Sequence, residues 1–120
     1  MAPRAKMGYN DAMESKLFLK EQPTLQDYQR YVAAMIAERG FDKETVPEMF
    51  MLLLEECGEM AKAARKDQNI HTDRNSETFR LDHEIADVFM YLLDICNHFN
   101  IDLETAFREK EEIDKVRVWE

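Results

Sequence analysis

Two stretches of this chain are apolar nearly all the way round a helix, yet each carries a pair of acids three residues apart. In the first, Met49-Phe50-Met51-Leu52-Leu53-Leu54 runs straight into Glu55, Glu56 and Glu59. In the second, Glu84 and Asp87 open a run that continues as Val88-Phe89-Met90-Tyr91-Leu92-Leu93. Residues i and i+3 share a helical face, so both carboxylates of a pair point the same way. A helix that is apolar all round is a buried one. Such a chain must be helical and must bring acids into its interior.

The rest of the sequence agrees with helices. Only three glycines and three prolines occur among 120 residues, too few turn-formers for a strand meander. Thr24 after Pro23, with Asp27 three positions on, predicts the start of helix one, and Gly40 its stop. Thr45 with Glu48 is a capping box, and Pro47 fits the first turn of helix two, which should reach about Lys66. The polar stretch 67–77 reads as a loop. Helix three is expected over 78–99 with Asn100 as a left-handed cap, and helix four from Asp102 to about Arg117. The expected architecture is an all-α, compact four-helix bundle. Residues 1–22 lack a clear period and read as a flexible N-terminal arm, leaving 23–120 as the helical catalytic domain.

Along helix three Glu84, Asp87, Tyr91 and Asp94 fall inside a sector of roughly 80° at about 100° per residue, a polar seam on an apolar rod. Two like charges about 4 Å apart repel by roughly 4 kcal/mol at an effective dielectric of 20. Four or five converging carboxylates therefore oppose folding or take up protons, unless a hard cation sits among them. Magnesium takes oxygen ligands and commonly joins carboxylates to substrate phosphates. Gly58 and Ala86, both small, are expected to let the two helices approach closely enough to share the ion. The competing account is a pair of solvated acidic faces in a chain with 25 acids.

Other sites are excluded by their donors. His71, His83 and His98 are preceded at i−3 by Gln68, Arg80 and Ile95, so the Glu-x-x-His of a di-iron bundle is absent. No Cys and His cluster has zinc spacing, and no glycine-rich phosphate loop exists. A formal net charge of −9 disfavours nucleic-acid polymers. No apolar run near 18 residues spans a membrane. Cys57 and Cys96 lie in apolar helical stretches and read as reduced, buried thiols, and without a signal peptide the expected location is the cytoplasm.

The stretch "LLLEECGEMAKAARK" followed by "HEIADVFMYLLDICNHFNIDLETAFREK" resembles the MazG-like all-α nucleoside triphosphate pyrophosphohydrolases, over about residues 24–117. Their hallmark is Glu-Glu-x-x-Glu on one helix and Glu-x-x-Asp on the next. The resemblance implies hydrolysis of a nucleoside triphosphate between its α- and β-phosphates. Glu56, Glu59, Glu84 and Asp87 would ligate Mg2+, for which Mn2+ can substitute, and Glu55 and Glu56 would be catalytic. On the last helix Lys110 and Arg117 would clamp phosphate, although Asp114 stands where such proteins carry Asn. It further implies a homodimer or homotetramer and a role in clearing unwanted nucleotides. Two rival readings stay open. One is a non-catalytic acidic interaction module; the other is a related pyrophosphatase acting on dUTP, dCTP or phosphoribosyl-ATP. Tyr28, Tyr31, Tyr91 and Trp119 are the aromatic residues that could meet a base.

Overall fold

Thr24 and Thr45 open their helices by the same device. The Thr24 hydroxyl accepts from the Asp27 backbone N–H at 3.1 Å, and the Thr24 N–H donates to the Asp27 carboxylate at 2.8 Å. Thr45 and Glu48 repeat the exchange. Each box satisfies orphan donors of the first turn. These caps start α1 (Leu25–Arg39) and α2 (Val46–Asp67). Gly40, at φ 75°, closes α1 in the left-handed conformation that costs glycine nothing.

The computed structural model describes residues 14–71 and 80–120. Within them α3 is Leu81–His98 and α4 is Leu103–Lys115. The expected start of helix three at Thr78, and most of the expected 67–77 loop, lie outside the described residues. Among those described, Arg80 stands at the N-cap of α3, where its side chain caps no backbone N–H but donates to the Asp82 carboxylate in the first turn. Asn100 takes the left-handed conformation, at φ 55°. Asp102 caps α4 by accepting from Thr105 N–H at 3.1 Å. Four helices make an all-α protein, with no strand among the described residues.

The long helices α2 and α3 pack against each other, α1 packs on α3, and α4 rests on α1. Val32, Met35 and Leu93 form the innermost core, with Leu25, Tyr28, Ile36, Phe89 and Leu103 packed around them. Tyr28 meets Phe89 edge to face, so its ring is spent on packing. A polar clasp joins α1 to the α3–α4 turn. The Gln29 side-chain amide donates to Asn97 Oδ1 and to the Ile101 carbonyl, and accepts from Leu103 N–H at 2.9 Å. Nothing in the sequence pattern announced it.

Of the expected N-terminal arm, residues 1–13 lie outside the described residues. From Glu14 to Gln22 the chain forms no helix but is fastened to α1. Ser15 donates to Glu38, Lys20 pairs with Asp27, and Leu17 packs on the core. One expectation is corrected. Gly58 is not at a close helix approach, because a Cβ added there would meet nothing within 4 Å. Gly58 and Ala86 are both exposed. The buried positions of α2 are instead Met49 and Ala63.

Candidate metal centre

On α2 the two buried residues are Met49 and Ala63, seven positions either side of Glu56. A step of seven returns a helix to nearly the same face. Glu56 therefore occupies a core-facing line, which is why an acid ends up at the α2–α3 contact. On α3 the matching position is Glu84, buried at 8% exposure, with Asp87 half-buried one turn on. One carboxylate oxygen from each of Glu56, Glu84 and Asp87 lies within 4.8 Å of the other two.

Electrostatics follow from this geometry. The Glu56 carboxyl is pushed above the usual carboxylate range, first by burial and then by the negative charges of Asp87, Glu84, Glu55 and Glu59. Tyr91, one turn beyond Asp87, has its hydroxyl pushed up by burial and by Glu44, Glu56, Asp94 and Glu55. Glu44, just before the cap of α2, is raised by burial and by Asp94.

Glu59 is the fourth acid of the expected set and stands outside the trio. Its Oε2 is nonetheless buried and has no hydrogen-bond partner. Such an orphan costs about 1–3 kcal/mol unless a ligand satisfies it. An all-oxygen set with an orphaned carboxylate oxygen beside it fits a hard divalent cation better than a soft metal. Glu55 is exposed at the rim, close enough for its charge to act on both Glu56 and Tyr91.

Next to the trio lies a cavity of about 180 Å³. Glu56 and Asp87 form one part of its wall, Tyr91 and Asp94 continue it, and Phe41, Met35, Ile36 and Met90 supply apolar surface. The α3 seam was legible in the sequence. The α1 side was not, because Met35 and Ile36 read as ordinary core and Phe41 lies beyond the helix stop.

Lys110 and Arg117 are not brought to this cavity within the protomer. Both pair with Asp114, Lys110 at 2.6 Å and Arg117 at 3.2 Å, and they hold its carboxyl below the usual range. Tyr31 packs against the core, and Trp119 is exposed beneath the Arg117 guanidinium.

Fold and site together define an all-α protein with an oxygen-lined acidic centre of the kind a divalent cation fills. The model of the MazG nucleotide pyrophosphohydrolase domain matches residues 44–116, more than half of the chain, and the chain belongs to that family. It is 27% identical over 120 residues to dCTP pyrophosphatase 1 of Mus musculus, an alignment covering 95% of this chain and 71% of that protein. No solved structure matches the chain. The protein is therefore a nucleotide pyrophosphohydrolase, a hydrolase of acid anhydrides.

Proposed function

We propose that the protein hydrolyses a nucleoside triphosphate between its α- and β-phosphates, releasing a nucleoside monophosphate and pyrophosphate. Glu56, Glu59, Glu84 and Asp87 hold Mg2+, or Mn2+ in its place. The observation that carries this reading is the convergence of Glu56, Glu84 and Asp87 between α2 and α3, where a bound divalent cation would offset the repulsion of the ionised acids. Bound there, the ion neutralises phosphate charge and acidifies a water.

The protein's own groups do the rest. Glu55, at the rim beside these ligands, orients the attacking water and accepts its proton, with Glu56 as the adjoining carboxylate. Tyr91 offers a neutral phenolic donor above Asp87. The apolar wall of Phe41, Met35, Ile36 and Met90 takes the base out of water.

Lys110 and Arg117 serve as phosphate clamps in a homodimer or homotetramer, where α4 of one copy approaches the acidic centre of another. Two facts support assembly. The α4 helix buries none of its residues, and Met51 and Phe107 are each 69% exposed. The catalytic domain spans residues 23–120 and works on free nucleotides in the cytoplasm. Neither a nucleic-acid polymer nor a membrane suits the −9 charge, and no described helix is long and apolar enough to cross a bilayer.

A panel of triphosphates with Mg2+ tests the reading, and dCTP heads the panel because the mouse relative is named for it. Monophosphate plus pyrophosphate is the expected product pair. Diphosphate plus orthophosphate overturns the assigned bond.

A further inference from the structure

Arg39, the last residue of α1, lines the cavity beside the acidic trio. It follows Met35 by four positions and Ile36 by three, so it shares the helical face that carries those two cavity residues. The helix end is held firmly at this point. Gly40 N–H donates to the Ala37 carbonyl at 3.2 Å and Phe41 N–H donates to the Ile36 carbonyl at 2.9 Å, a closure that turns on the left-handed glycine. That turn sets Arg39 and Phe41 on the same wall.

Charge gives Arg39 a purpose there. Among the described residues lining the cavity it is the one cation, set against Glu56, Asp87 and Asp94. A divalent ion held by Glu56, Glu59, Glu84 and Asp87 still leaves that centre negative, because four carboxylates outweigh two positive charges. A triphosphate brings further negative charge to the same place, and a guanidinium is the group best shaped to meet it. Lys110 and Arg117 stay with Asp114 within the protomer and do not line this cavity. The Arg39 guanidinium has five N–H donors, so a phosphate oxygen can join the contact it already has within the protein.

We propose that Arg39 is a substrate-binding residue, gripping a phosphate of the nucleotide from the α1 side of the metal centre. The proposal rests on the pyrophosphohydrolase reading above for its anion, and it adds the cation that one protomer brings to the site by itself. It holds whichever way the base lies, since the recognised group is the phosphate.

The test is calorimetric titration of the full chain with Mn2+ alone, then of the Mn2+-loaded protein with pyrophosphate, which has neither base nor sugar. Arg39→Gln should weaken pyrophosphate binding by about fivefold or more, the scale of one charge-assisted hydrogen bond. Its Mn2+ affinity should stay the same or rise, because a positive neighbour of the acids is gone. Arg39→Lys keeps the charge without the fork and should recover part of the loss. With dCTP and Mg2+, KM should rise by a similar factor in Arg39→Gln while kcat holds within about threefold. Unchanged pyrophosphate affinity in Arg39→Gln overturns the assignment, and so does a wild type that binds Mn2+ but not pyrophosphate. Affinities for Mn2+ and pyrophosphate that fall together also overturn it, since Arg39 then only shapes the metal centre. Weakened pyrophosphate binding in a protein that hydrolyses no triphosphate keeps Arg39 as a phosphate ligand and removes the pyrophosphohydrolase reading. A wild type that binds no Mn2+ removes both.

Discussion

The carboxylates of Glu56 on α2 and Asp87 on α3 approach within 4.8 Å, with Glu84 completing the group at the same spacing. No hydrogen bond joins them among the described residues, and the charges recorded as acting on Glu56 are all negative. The fold therefore holds these acids together against their own repulsion, and the consequences can be measured.

Glu56→Gln should make the metal-free protein more stable at neutral pH. The folded-state value of Glu56 is raised, so the native state holds its proton more tightly than the unfolded chain does. Its contribution is favourable at acid pH and is lost as pH rises from the usual carboxylate range through that raised value. Thermal unfolding without metal should show the wild type losing stability across that interval relative to Glu56→Gln. Added Mg2+ should reverse the order. A variant no more stable than the wild type at pH 7 would show that the repulsion is already relieved.

Asp87→Asn keeps the shape of the side chain and removes its charge. Several kcal/mol of transition-state stabilisation are tied to a bound metal, so activity should fall by about a hundredfold or more. The Mg2+-dependent rise in melting temperature should shrink with it, while the far-ultraviolet spectrum stays helical. Retained activity would place the cation elsewhere.

Leu93 is fully buried, at 0% exposure, in the α1–α3 core. Leu93→Ala should cost about 2–5 kcal/mol in urea unfolding, from lost transfer energy and the cavity left behind. A cost below about 1 kcal/mol would mean that the core closes over the gap.

Asp114 engages both Lys110 and Arg117. Exposed pairs of this kind contribute about 0–1 kcal/mol each. Asp114→Asn frees both cations and removes a like charge from the path of a phosphate. The Michaelis constant for the triphosphate should then drop by up to about fivefold, with the gain fading at high salt. An unchanged constant would separate these residues from phosphate binding.

In solution the protein should sediment as a multiple of 14.2 kDa, because Met51 and Phe107 want cover that one protomer does not provide. A monomer at micromolar concentration would leave Lys110 and Arg117 away from the acidic centre and remove them from the mechanism.

Much of this was legible from sequence because it is local. The boxes at Thr24 and Thr45, the stop at Gly40 and the cap at Asp102 involve partners within three or four residues. The face shared by Glu84, Asp87, Tyr91 and Asp94 follows from helical period alone. What failed to show depends on which helix lies against which. Gly58 looked like a point of close approach, but the buried residues of α2 are Met49 and Ala63, with half-buried Glu56 midway between them, and Gly58 faces open space. The Gln29 clasp joins residues about seventy positions apart, and Phe41 enters the cavity wall only because α1 packs along α3. Such long-range placements leave no periodic trace.

The most direct measurement is the anomalous difference map of a crystal grown with Mn2+. A peak bounded by carboxylate oxygens of Glu56, Glu84 and Asp87, at roughly 2.0–2.2 Å from each as hard divalent cations require, with Glu59 turned towards it, is the predicted result. Carboxylates splayed apart into solvent, with no manganese between α2 and α3, would contradict the account at its root.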